Sequence, residues 1–200
     1  MASMSTKSKI LDAALDLFNA EGVGALSAVD VANAIGISPG HLYYHFKGKP
    51  ELVLALSRQY AEEVDLVLEA ADDAVRGDGF SLETLWTYVQ ILLEEAWDAR
   101  FFYREASALA LRQPELAVIY RHIARRQREA LLAMLSALVK RRILQAEPEI
   151  LDGMARIMTT AIGFHVLQME LDGDTGPPRA RTARAAAQIM LIPASLSPKA

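Results

Sequence analysis

The chain of 200 residues contains no cysteine. Disulfides, zinc–thiolate sites and thiol catalysis are therefore excluded, and the composition is compatible with a reducing compartment. We expect no signal peptide, because the first residues are polar and lack an apolar segment. The most apolar stretch, residues 157–171, is short for a membrane span and contains His165, Gln168 and Glu170. We therefore expect a cytoplasmic protein with no membrane partner.

The sequence also lacks the short motifs of several enzyme classes. It has no Gly-x-Gly-x-x-Gly, no phosphate-binding loop, no Gly-x-Ser-x-Gly and no His-Glu-x-x-His. The segment Gly22-Val23-Gly24 lacks the rest of a nucleotide-binding fingerprint. We expect neither an enzyme nor a bound cofactor.

The net charge of −4 excludes a polycation, but the charges are unevenly distributed. Residues 36–50 contain two lysines, two histidines and no acid, whereas residues 62–73 contain six acids and no base. A small positive end on an acidic body is typical of a protein that contacts DNA through one surface.

Apolar residues recur every three or four positions, with no sustained alternation, which predicts an all-α protein of about nine helices. The expected helices cover roughly residues 7–20, 28–35, 39–46, 50–75, 81–98, 100–112, 115–142, 148–171 and 179–191. We predict a helix-turn-helix DNA-binding domain over residues 5–50 and a C-terminal ligand-binding and dimerisation domain over residues 51–192. A disordered tail is expected over residues 193–200.

Two short helices separated by a glycine turn and preceded by a longer helix predict a helix-turn-helix motif at about residues 27–46. Ser27 and Ser38 are expected N-caps, and Pro39 suits a first helical position. The residues expected in the three-helix core are Val29, Ile35, Ile37, Leu42 and Phe46. Those expected on the outer surface of the third helix are Pro39, Gly40, His41, Tyr43 and Tyr44. The N-terminal residues of such a helix meet base edges, and its flanks hold phosphates.

At this point the sequence resembles the TetR (tetracycline-repressor) family of bacterial regulators. The resemblance covers roughly the first 55 residues. The segments that carry it are residues 9–14 with Leu17-Phe18, then Gly22, residues 31–38, residues 40–49 and Glu51-Leu52. It implies a dimeric regulator that binds a palindromic operator in double-stranded DNA.

The resemblance also implies the DNA contacts. Base or backbone contacts are expected from Ser27, Ala28, Pro39, Gly40 and His41, beside the cap Ser38. Phosphate contacts are expected from Tyr43, Tyr44, His45 and Lys49. Ala28 stands where the family often has threonine, so it would offer a methyl group to thymine in place of a hydroxyl. His41 stands where the family often has threonine or serine.

His41 and His45 lie one helical turn apart, a spacing that a metal could use. No third ligand is close in sequence, so we expect no metal. Tyr43 or Tyr44 could instead belong to the core, with its hydroxyl reaching a phosphate.

The helix at residues 148–171 is apolar nearly all round, which indicates burial on several sides. The last helix carries small residues at Ala183, Ala186 and Ala187 that permit close packing. We predict a homodimer in which these last two helices pair with their copies in a four-helix bundle.

A ligand pocket is predicted from aromatic spacing, with a plain aromatic core as the alternative. Trp86, Leu93, Trp97 and Phe101 fall on one helical face, and further residues would complete the pocket: Phe102, Tyr103, Tyr120, Met154, Met158 and His165. The predicted function is therefore a repressor that a small apolar or aromatic effector releases from its operator. The alternative is a DNA-binding regulator whose helical body binds a protein partner.

Overall fold

A computed structural model describes residues 5–173 and 176–196, and every regular element in these ranges is a helix. The helices are α1 (Thr6–Glu21), α2 (Ala28–Ala34), α3 (Pro39–His45), α4 (Lys49–Arg76), α5 (Leu82–Asp98), α6 (Arg100–Arg104), α7 (Ala106–Arg112), α8 (Pro114–Lys140), α9 (Pro148–Leu171) and α10 (Pro178–Ala194). The prediction of an all-α fold is confirmed.

The predicted helix at residues 100–112 is divided into α6 and α7. Glu105 interrupts it with φ −117° and ψ 21°. Its carboxylate accepts a hydrogen bond from the backbone N–H of Gly24. No glycine or proline marks this break, so the local sequence pattern does not reveal it.

The last helix extends further than predicted. Pro193 is buried inside α10, which ends at Ala194, so the predicted tail begins within the final turn of a helix. The carbonyl of Leu196 accepts a hydrogen bond from the N–H of Gln145 at 3.0 Å. Residues 197–200 of the predicted tail lie outside the described residues.

The chain forms two compact units. The head unit comprises the described part of residues 1–61 together with residues 99–120, and the body unit comprises residues 62–98 and the described part of residues 121–200. The helices α4 and α8 each contribute to both units. The domain boundary at residue 51 stays a prediction, while α6 and α7 belong to the same compact unit as α1–α3.

The head unit is built on packing of α1 against α2 and α6, and of α2 against α3. Leu42 and Phe46 are buried there, as predicted. The prediction that Val29 lies in the core is wrong, since its side chain is 36% exposed. Ile35 and Ile37, also predicted in the core, are only half-buried. Because α2 begins at Ala28, the residues one turn further on, Val31 and Ala32, face inward instead.

The body unit has its core where α5 packs against α9 and α10. Residues on α9 such as Met154, Met158 and Ile162 are buried there. Arg128 Nε donates to Asp152 Oδ1 at 3.1 Å and ties α8 to α9. The hydrogen bonds from Arg128, and then from Arg156, hold the pKa of the Asp152 carboxyl below its usual range.

Candidate nucleic-acid interface

The start of α2 is fixed by a capping box between Ser27 and Asp30. Ser27 Oγ accepts from the Asp30 N–H at 3.3 Å, and Asp30 Oδ2 accepts from the Ser27 N–H at 2.7 Å and from its hydroxyl at 2.6 Å. These bonds, led by that of the Ser27 side chain, hold the pKa of the Asp30 carboxyl below its usual range. The hydroxyl and N–H of Ser27 are thus engaged within the head unit, and its DNA contact stays a prediction.

The helix α3 begins at the predicted cap. Ser38 Oγ accepts from the His41 N–H at 3.2 Å, and Pro39 occupies the first turn. Leu42 is fully buried and anchors this seven-residue helix to the core. The predicted outward set is exposed: Pro39, Gly40, His41, Tyr43 and Tyr44. Tyr44 is 84% exposed, so its side chain is available to a ligand and is not core.

The two histidines of α3 stack on each other with ring centroids 5.5 Å apart. Tyr44 meets the ring of His45 edge-on at 5.1 Å. Within the described part of the chain, no group of three or more His, Cys, Asp or Glu side chains is arranged to hold a metal ion. The face of α3 therefore presents imidazole and phenol groups, which can donate to phosphate oxygens and to base edges.

Ala28 differs from its predicted role. It is only 5% exposed, because it lies on the same face of α2 as the buried Val31 and Ala32. Its methyl group packs inside the head unit, which does not favour the predicted contact to thymine. A contact from its backbone stays a prediction.

Lys49 is used inside the head unit. Its Nζ donates to the carbonyls of Val23 at 2.7 Å and Leu26 at 2.6 Å, which lie in the loop between α1 and α2. Lys47, in the turn after α3, is exposed. The Lys49 ammonium, which was expected to hold a phosphate, therefore stabilises the loop between α1 and α2. Its phosphate contact stays a prediction.

The predicted ligand residues are distributed over both units. Phe101, Phe102, Tyr103 and Tyr120 belong to the head unit, where they pack against one another with Tyr60. The rings of Phe102 and Tyr120 stack with centroids 3.9 Å apart, and the hydroxyls of Tyr60 and Tyr103 are 2.7 Å apart. This packing is that of an aromatic core.

The other predicted ligand residues lie in the body unit: Trp86, Leu93, Trp97, Met154, Met158 and His165. Trp97 lines a cleft of about 420 Å³ at the start of α10, and the guanidinium of Arg181 lies 4.3 Å from its ring centroid. His165 Nε2 is buried without a hydrogen-bond partner among the described residues. Burial lowers the pKa of His165, which nearby Asp172 partly opposes, so the imidazole is neutral at pH 7. Whether these residues share a ligand stays a prediction.

One face of α9 carries exposed large apolar residues at intervals of seven. Ile150, Ile157, Phe164 and Leu171, which we call the α9 stripe, are between 51% and 74% exposed. Residues seven apart lie on the same helical face, so these side chains form one continuous row. By length and composition alone, α9 is long and apolar enough to cross a membrane, but core helices of soluble proteins meet the same two criteria. Its opposite face is buried in the body unit.

Two long-range polar contacts of the head unit, of which only the first is buried, were missed from the sequence. The Asn19 side-chain oxygen accepts from the Phe101 N–H at 2.9 Å, and the Glu105 carboxylate accepts from the Gly24 N–H at 3.1 Å. Each joins residues more than eighty positions apart, and no local pattern marks the partners. The pair Gly22 and Gly24 is the only signal in the local sequence that another group approaches the backbone closely.

A short, N-capped and exposed helix held on a three-helix core after a glycine turn defines a helix-turn-helix DNA-binding protein. Comparison with known families agrees. The family described as bacterial regulatory proteins of the tetR family matches residues 10–56, and the TetR family described as bacterial transcriptional repressor matches residues 59–200. The chain belongs to the TetR family of bacterial regulatory proteins.

Curated relatives match parts of the chain. The HTH-type transcriptional regulator SrpR of Pseudomonas putida is 40% identical over 62 residues, which are 30% of this chain and 29% of that protein. The probable HTH-type transcriptional regulator YttP of Bacillus subtilis is 30% identical over 107 residues, which are 52% of each chain. The chain thus spans about half or less of the length of these relatives.

Solved structures share the fold over nearly the whole chain. A TetR-family transcriptional regulator from Marinobacter aquaeolei VT8 has a TM-score of 0.86 at 24% identity and covers 98% of this chain and 92% of its own. The ketosteroid transcriptional regulator KstR2 of Mycobacterium tuberculosis has a TM-score of 0.73 at 20% identity, covering 99% and 98%. The fatty acid degradation regulator FadR from Bacillus halodurans has a TM-score of 0.66 at 13% identity, covering 95% and 97%.

Proposed function

We propose that this regulator is a cytoplasmic repressor that binds a palindromic operator as a homodimer and leaves it when a small apolar or aromatic effector binds. The exposed face of α3 carries the proposal, because it presents side chains that can reach base edges and phosphates. The description of the matching C-terminal family as a transcriptional repressor supports the direction of regulation.

In the proposed complex, α3 lies in the major groove with its N-terminal residues toward the bases. Pro39, Gly40 and His41 meet base edges, while Tyr43 and Tyr44 donate to phosphates. The burial of Leu42 supports this arrangement, because it fixes which face of the short helix is turned outward.

Substitutions on α3 should separate the two kinds of contact. Tyr44→Ala is expected to weaken binding to all DNA sequences to a similar degree, because a phosphate contact carries no sequence information. His41→Ala is expected to relax the preference at one position of the operator, by about 1–3 kcal/mol. Fluorescence anisotropy with the operator and its single-base variants measures both effects. Unchanged DNA binding in both variants would contradict the assignment of α3 as the reading helix.

Lys47 and Lys49 should differ in a salt titration. We propose that the exposed Lys47 of each protomer holds one phosphate. Lys47→Met is then expected to reduce the slope of log affinity against log salt concentration by about 1.8, because the dimer loses two phosphate contacts. Lys49→Met is expected to leave that slope unchanged and to lower the free energy of unfolding by about 1–3 kcal/mol, because it removes two charge-assisted hydrogen bonds. A reduced slope for Lys49→Met alone would restore Lys49 as the phosphate ligand.

The homodimer is proposed to form through α9 and α10. The α9 stripe supports it, since an exposed row of large apolar side chains is stabilised by a copy that covers it. On α10, Leu191 is a large apolar residue that is 70% exposed, which a copy of the chain would also cover. Two heads held by such a pairing would bind half-sites one DNA turn apart, roughly 34–36 Å.

The effector is proposed to be apolar because the candidate residues of the body unit are aromatic and aliphatic, with His165 as a neutral polar group. The names of the structural neighbours KstR2 and FadR refer to ketosteroids and to fatty acid degradation, and both steroids and fatty acids are largely apolar compounds. The alternative, a protein partner, is favoured by one observation. An open groove between α4 and α5, lined by Leu66, Val67, Tyr88 and Ile91 among others, would suit a docked segment better than an enclosed ligand.

Selection of bound sites from random DNA tests the central proposal. We expect a palindrome whose half-sites are one helical turn apart, and recovery of single half-sites would contradict the dimeric complex. Titrating the selected operator complex with steroids, fatty acids and aromatic compounds then tests the effector. A true effector lowers operator affinity by about 5- to 150-fold, and operator must lower effector affinity by the same factor.

A further inference from the structure

The loop between α1 and α2, residues 22–27, receives a carboxylate from the junction of α6 and α7. Glu105 Oε1 accepts a hydrogen bond from the Gly24 N–H at 3.1 Å. The two residues are 81 positions apart, and both belong to the head unit. The contact therefore joins the DNA-reading helices to the segment α6–α7, which is distant in sequence.

The loop is shaped to admit this carboxylate. Gly22 has a φ of 86°, in the left-handed region, and a Cβ built there would lie 3.1 Å from Glu105 Oε1. A Cβ on Gly24 would lie 3.4 Å from Glu105 Oε2. A side chain at Gly22 would be strained by this φ and would crowd the carboxylate, whereas a Cβ at Gly24 would only touch it, so Gly22 is the glycine that the contact requires.

The same loop is also held by a cation, the ammonium group of Lys49. The carbonyls of Val23 and Leu26 accept from Lys49 Nζ, at the start of α4. The loop thus offers an N–H to an anion and two carbonyls to a cation, and each bond is charge-assisted. The position of the loop depends on both α4 and the α6–α7 junction.

Packing beside the Glu105 contact is incomplete. A cavity of about 190 Å³ adjoins it, lined by Val23, Val53 and Leu109 among others. Fewer side chains are therefore available to hold the loop when the carboxylate is removed. The loop runs directly into Ser27, which caps α2, and α2 packs on α3.

We propose that Glu105 is a positioning residue for DNA reading, which fixes the loop before α2 and so couples the α6–α7 segment to the orientation of α3. The inference rests on the DNA-binding activity of the family and on no particular effector. A displacement of α6–α7 would withdraw the carboxylate from Gly24 and loosen the start of α2, although Glu105 itself is not among the residues expected to contact DNA.

The test compares Glu105→Ala, Glu105→Gln and the control Glu115→Ala, which changes an exposed acid in the first turn of α8. Anisotropy is measured in the full chain with the selected operator and with random DNA. Glu105→Ala is expected to weaken operator binding by about 5- to 30-fold while the affinity for random DNA and the salt slope stay the same. Glu105→Gln keeps an acceptor for Gly24 and should restore operator affinity to within about threefold of the wild type. The control should bind as the wild type does.

Amide hydrogen exchange provides a readout that mere loss of stability would not reproduce. In Glu105→Ala the Gly24 amide should exchange faster, while the amides of the buried helix α1 keep their protection. Three results for Glu105→Ala would each overturn the inference: operator affinity equal to the wild type, equal weakening for operator and random DNA, or unchanged exchange of the Gly24 amide. Failure of Glu105→Gln to restore operator binding would also overturn it. If the wild-type protein itself bound none of the selected DNA sites, the proposed function would be refuted instead.

Discussion

Phe164→Glu is expected to convert the protein to a monomer and to lower operator affinity by about 10²- to 10⁴-fold, because two linked heads bind far more tightly than one. Phe164 is 57% exposed near the middle of the α9 stripe. In the proposed dimer this position meets its own copy or a neighbour of it, so the substitution would bury two carboxylates against apolar side chains. The isolated chain already exposes this position to water, so its fold should tolerate the change.

Sedimentation velocity over a range of concentrations measures the mass, and anisotropy with the selected operator measures the affinity. Leu111→Glu is the matched control, since Leu111 is 85% exposed on α7 and is not part of the stripe. It should remain dimeric. A dimeric Phe164→Glu variant with normal operator affinity would show that another surface joins the two chains.

Phe102→Ala is expected to lower the free energy of unfolding by about 3–5 kcal/mol, the range for removing a fully buried aromatic ring. Phe102 stacks on Tyr120 and meets Tyr60 and Tyr103 edge-on, with centroids 5.3 and 5.4 Å away. The Tyr120 hydroxyl donates to the Phe102 carbonyl, and burial raises the pKa of that hydroxyl, so Tyr120 is un-ionised at neutral pH. Truncation would leave an unfilled volume in the middle of this cluster.

Urea unfolding at one fixed protein concentration measures the loss, because the proposed dimerisation would contribute to apparent stability. Leu111→Ala is the control and should change stability by about 0.5 kcal/mol or less, as exposed substitutions do. If Phe102→Ala lowered the free energy of unfolding by less than about 1 kcal/mol, the core assignment would be contradicted. That result would support a ligand pocket at this position.

The reading helix could be predicted from the sequence because its determinants are local. Ser38 caps the helix three residues before His41, Pro39 occupies its first turn, and Leu42 supplies the anchor. Each of these choices acts within one helical turn, so the residue order alone carries the information. The capping box of Ser27 and Asp30 is of the same kind.

The remaining features depend on partners that are remote in the chain. Whether Ala28 or Val29 faces inward depends on where α2 lies against α1, and a helix of seven residues has too few turns to fix that from periodicity. Lys49 was expected to face DNA, but the carbonyls it binds lie 23 and 26 residues away. The spacing of the aromatic residues at 101–103 and 120 is compatible with a pocket and with a core, and their packing against one another is what distinguishes the two.

The α9 stripe has a consequence for how the regulator would respond to its own abundance. If pairing through the stripe is required for operator binding, then at chain concentrations below the dimer dissociation constant the occupancy of the operator rises with the square of the chain concentration. A twofold change in expression would then change occupancy about fourfold at low abundance. Operator occupancy would rise over a narrower range of gene dosage than it would for a monomeric DNA-binding protein with the same operator affinity.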